Sequence, residues 1–140
     1  MAEFLQVLIA GFVASLVWFV LGSVLYVNPL IAKIYKKRES SPGFKVWQSQ
    51  PKYIITMYFV GALIPCLILA FVYSFLSPAF TGSLILKTLC LGLIIASVRM
   101  IPRFFDMWIQ TTYPDTLLTI EIVNGTILSF AAAAVLAWLL

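Results

Sequence analysis

Four uninterrupted apolar runs leave this chain few ways to fold. They are Phe4 to Val27, Tyr53 to Leu76, Gly82 to Ile101 and Leu117 to Leu140. About 20 apolar residues rising 1.5 Å each are needed to cross a hydrocarbon layer roughly 30 Å thick, and all four runs reach that length. Charge is almost excluded from them: the first two carry none, the third holds Lys87 and Arg99, and the fourth holds only Glu121. With 63% hydrophobic residues in 140, the solvent for most of the surface is lipid. The expected fold class is therefore all-α: a polytopic membrane protein with four transmembrane helices in one bundle. A single membrane domain over 1–140 is expected, with spans near 4–27, 53–76, 82–101 and 117–140. The first run is read as a helix of the mature protein, because Met1, Ala2 and Glu3 supply no positive region and the apolar part is too long for a signal segment.

Positive charge is distributed unevenly between the connections. The stretch 28–52 holds Lys33, Lys36, Lys37, Arg38, Lys45 and Lys52; Arg99 and Arg103 border the third connection; "SPAFT" between the second and third runs holds none. Basic residues flanking short loops mark the cytoplasmic side. The positive-inside count thus predicts a cytoplasmic loop 28–52 and both termini outside.

Within that loop, "LIAKIYKKR" reads as a helical continuation of the first span past Pro29, with Leu30, Ile31 and Ile34 toward lipid. A turn at Pro42-Gly43 follows, then Phe44 and Trp47 at headgroup depth. Lys33, Lys36, Lys37 and Arg38 form a cluster suited to anionic lipid headgroups, at about 1 kcal/mol per base. The plainer reading of the same cluster is an unselective topology anchor, and no nucleic-acid signal exists beyond it.

Helices in lipid associate through small residues and hydrogen-bonding side chains. The fourth run carries a small-residue stripe at i, i+4: Glu121, Gly125, Ser129, Ala133 and Ala137. Gly92 and Ala96 start a similar line in the third run, leading to Arg99. Pro65 is expected to distort the second span by removing the bond to the Gly61 carbonyl. Pro102 is expected to end the third helix, leaving 102–114 as an interfacial segment with Arg103 and Asp106 toward water. On that reading Arg99 and Glu121 lie at matching depth and pair, with Asn124 supplying an amide one turn deeper. Arg99, Glu121 and Asn124 are thus the candidate intramembrane polar site.

Catalytic inventory is thin. Without histidine there is no Ser-His or Cys-His couple, the five acids are not spaced as a carboxylate pair, and Gly-rich phosphate loops are missing. Neither an enzyme nor a bound cofactor or metal is expected. Cys66 and Cys90 lie in apolar runs and read as packing residues. Two functions remain open: an accessory component that self-associates or joins a larger membrane complex, and a small proton-coupled transporter or channel using Glu121.

The stretch "GSVLYVNPLIAKIYKK", with Gly22, Tyr26, Pro29 and Lys33, resembles the start of the DUF1761 family of small bacterial membrane proteins. The tail "TIEIVNGTILSFAAAAVLAWL", with Gly125 and Trp138, is similar to that family's last helix. Leu25 stands where the family tends to place Trp. The resemblance implies a four-span protein of a bacterial cytoplasmic membrane and carries no established activity.

Overall fold

A computed structural model describes residues 2–140, which form helices and short connections, with no strand among the described residues. Helix α1 covers Ala2–Val27 and α2 covers Pro29–Arg38. The second span is composite: α3 (Gln50–Thr56), a π-helical stretch over Met57–Leu63, α4 (Ile64–Leu76) and a 3-10 turn at Ser77–Ala79. Helices α5 (Leu84–Gln110) and α6 (Asp115–Leu139) complete the chain. Four of these units are long and apolar enough to cross a membrane: Glu3–Val27, Gln50–Ala79, Leu84–Gln110 and Asp115–Leu139.

The architecture is two helical hairpins docked through their inner members. Helix α1 packs on the π stretch and α4, α5 packs on α6, and α1 meets α6 across the centre. Small residues make these approaches close. A methyl group added at Gly11 would lie 3.0 Å from the Leu67 Cα, so α1 and α4 touch nearly backbone to backbone there. The Phe130 ring fills the space over Gly92, and the Met100 thioether fills the space over Gly125. Gly125, Ser129, Ala133 and Ala137 are all buried, so the small-residue stripe of α6 is consumed inside the chain. Ser129 satisfies its hydroxyl by donating to the Gly125 carbonyl at 2.7 Å. Large exposed side chains such as Val20, Ile68, Val98 and Trp138 cover the outside, as expected of a surface solvated by lipid.

Three local structures depart from the sequence reading. First, α2 is a new helix and not a continuation of α1. A residue before proline avoids helical geometry, and Asn28 has φ −55° and ψ 137°. Its side-chain oxygen accepts from the Leu30 N–H at 2.9 Å, which caps α2. Second, α5 does not end at Pro102 but runs on to Gln110. Proline deletes one N–H and strands one carbonyl, that of Val98, while every other bond of the helix survives. Third, α6 begins at Asp115, two residues before the span expected from 117, behind Pro114, whose carbonyl accepts from the Leu117 and Leu118 N–H groups at 3.0 Å. The expected turn is present: the Phe44 N–H donates to the Ser41 carbonyl at 3.3 Å, and Gly43 at φ +81° occupies the position where a type II turn needs a left-handed residue.

The turn at Gly43 lies against the Tyr113 backbone, which puts loops 39–49 and 111–114 at one end of the bundle. At the other end the Gln6 amide donates to the Leu139 carbonyl at 2.7 Å. Eight of the nine bases therefore gather at or toward one end, opposite the termini.

Candidate polar site

Glu121 sits in the second turn of α6, and both of its oxygens are engaged. Oε2 accepts from the Arg103 guanidinium at 3.0 Å, and Oε1 accepts from the Tyr113 hydroxyl at 2.6 Å. Arg103 is 56% exposed and Glu121 19%, so the pair stands at the rim of the bundle end. The expected Arg99–Glu121 pair is not formed. Because α5 continues through Pro102, the hairpin turns later than the sequence reading assumed, and α5 slides about one helical turn relative to α6. Met100 then faces Gly125, and Arg103 arrives at Glu121. Arg103, expected to face water with Asp106, instead ties α5 to α6.

Tyr113 is aimed by its own loop. Thr111 donates its hydroxyl to the Met107 carbonyl at 2.6 Å and accepts from the Tyr113 N–H at 3.2 Å, which bends the chain back over α6. Burial, and then its bond to Glu121, pushes the Tyr113 phenol well above the ordinary tyrosine range. Tyr35 of α2 lies in the same cluster, edge-on to Tyr26 with ring centroids 6.0 Å apart, and its hydroxyl is buried without a partner. Its phenol is raised too, by burial first and then by the Glu121 charge.

Asn124 lies one turn deeper, as expected. It is buried, and its amide nitrogen has no partner. Arg99 is at similar depth on α5 and reaches across to the other hairpin. Its guanidinium stacks over the Trp18 ring of α1 at 4.2 Å. One nitrogen, Nη2, donates weakly to the Gly61 carbonyl at 3.5 Å, and Nη1 is buried without a partner. That carbonyl is available because Pro65 has no N–H to offer it, and the chain answers the missing bond with the π stretch ahead of the proline. The distortion expected from Pro65 is thus present and presents a backbone acceptor to Arg99.

Lys33, Lys36, Lys37 and Arg38 are all exposed on α2. Three of them occupy its last turn, where cations complement the helix dipole as well as any headgroup. Ile31 and Ile34 are half-buried, not turned out with Leu30. Cys66 is buried in the core and Cys90 faces outward.

Sequence reasoning missed Tyr113 and Tyr35, and it placed Trp18 on a helix-contacting line of the first run without linking it to Arg99. Tyr113 alone left a signal, since a tyrosine in a short connection eight residues before a lone buried acid can fold back onto it. No protein family, curated protein or solved structure matches the chain. The resemblance at 22–33 and at 119–139 rests on those residues alone.

Proposed function

We propose that this four-span protein is an accessory component of a membrane assembly, built from further copies of itself or with another membrane protein, and not a proton carrier. The observation that carries this reading is the double engagement of Glu121. A carboxylate that exchanges a proton for cargo needs a free oxygen facing a pathway, whereas here Arg103 and Tyr113 take one oxygen each. The group works as a rivet joining α5, the 111–114 loop and α6. Since the α6 stripe is used internally, association with other copies would run over the outer faces. The basic end is cytoplasmic on this reading and the termini lie outside; a reporter active only in cytoplasm, fused after Leu140, is then silent.

The second reading, a small proton-coupled carrier or channel, is favoured by one feature, the unpartnered amide of Asn124 beneath Glu121. Proteoliposomes under an imposed pH gradient separate the two. The accessory reading expects the same proton leak from wild type and Glu121→Gln, and a mass in native membrane extracts above the 15.6 kDa chain. Proton-driven flux abolished by Glu121→Gln would establish the carrier instead.

A further inference from the structure

Among the described residues, Arg99 is a cation without an anion. Arg103 holds Glu121, the one acid of the apolar run Leu117 to Leu140, and the Arg99 guanidinium is left with an aromatic face, a long contact to one carbonyl, and a buried nitrogen that bonds nothing. Charged side chains inside a membrane protein face a partner or a pathway, because an isolated buried charge is costly. No described residue supplies that partner, and the surroundings state its chemistry. Arginine presents a planar fork of donors suited to phosphate. Asn124 adds a second unpartnered donor at the same depth, since Met100 faces Gly125 across the hairpin.

The fold also leaves a way in. Helix α5 packs extensively on α6 alone, and its buried Leu91 and Ile95 join the shared core farther from the basic end. Beyond Ile95 the same face of α5 reaches Arg99, flanked by the exposed Val98 and Ile101.

We propose that this inter-hairpin crevice is a phosphate-binding site, with Arg99 as the anchor and Asn124 as a second donor. Its ligand is a phosphate group, borne as a monoester by a lipid entering from the bilayer between the hairpins or free in solution as inorganic phosphate. The site is separate from the exposed bases of α2 and goes beyond an accessory role without depending on it.

Native mass spectrometry of the protein from phosphatidylcholine nanodiscs doped with phosphatidic acid tests it. Wild type is expected to retain one phosphatidic acid per chain, Arg99→Gln to lose it by roughly tenfold or more, and the Lys33→Gln, Lys36→Gln, Lys37→Gln triple variant to keep it. A second arm adds inorganic phosphate to undoped nanodiscs and follows thermal unfolding. Protection of wild type but not Arg99→Gln in this arm alone assigns the site to soluble phosphate. If Arg99→Gln does not fold, Arg99→Lys keeps the charge without the fork and is expected to retain less lipid than wild type. Neither ligand bound by wild type, retention unaffected at Arg99, or retention lost with the α2 lysines overturns the proposal.

Discussion

Replacing Glu121, Arg103, Arg99 and Tyr113 singly and in pairs tests the register of the α5–α6 hairpin. The Tyr113 hydroxyl donates to a carboxylate at 2.6 Å, and hydrogen bonds to charged groups contribute about 1.5–3 kcal/mol. The Arg103 contact at 3.0 Å is more than half exposed on the arginine side, which places it among exposed pairs of about 0.2–1 kcal/mol. Glu121→Gln keeps an acceptor for Tyr113 but loses its charge, so the single variant is expected to cost about 2 kcal/mol. In double-mutant cycles, Tyr113→Phe with Glu121→Gln should couple by about 1–2 kcal/mol and Arg103→Gln with Glu121→Gln by about 0.5–1 kcal/mol. Arg99→Gln with Glu121→Gln should be additive within about 0.5 kcal/mol. Reversible unfolding in mixed micelles, titrated with a denaturing detergent, reads all of these. Added salt should shrink the Arg103 coupling and leave that of Tyr113 nearly intact. A coupling of Arg99 to Glu121 larger than that of Arg103 would refute the register and restore a hairpin that turns at Pro102.

Two further outcomes rest on packing and on the tyrosines. Gly92→Ala drives a methyl into the Phe130 ring and should cost about 1–3 kcal/mol, while Gly125→Ala meets the flexible Met100 thioether and should cost less; equal losses in thermal unfolding would contradict this ordering. The phenols of Tyr35 and Tyr113 are raised above the ordinary value of 10.0, so the unfolded chain gives up these protons first. Stability is then fully present below about pH 10 and falls as pH rises beyond it, and Tyr113→Phe should flatten that fall in alkaline unfolding curves; an unchanged slope would count against the buried Tyr113–Glu121 bond.

The parts legible in sequence are those set by local chemistry. The presence of four spans, the turn at Pro42-Gly43, the disturbance ahead of Pro65 and the buried α6 stripe each follow from a few adjacent residues. What failed was set by tertiary context. Pro102 reads as a stop because proline breaks an isolated helix, yet here α5 is held against α6 on both sides of it, at Gly92–Phe130 and at Arg103–Glu121. That one misplaced end moved the register by a turn and assigned Glu121 the wrong arginine. Trp18 and Arg99 lie on different helices far apart in sequence, and no periodicity links an aromatic face to a guanidinium.

The central contact between α1 and α6 has a consequence for how the protein is made. Roughly 90 residues separate the end of α1 from the start of α6, and at about 5–20 residues per second the ribosome needs on the order of 5–20 s to supply them. Throughout that interval α1 has only the second span to cover it, and the side later taken by α6, including Gly22 beneath Leu128, faces lipid or the insertion machinery. The first hairpin thus waits half-dressed in the membrane, and whatever shields that face in the meantime has to leave before the second hairpin can dock.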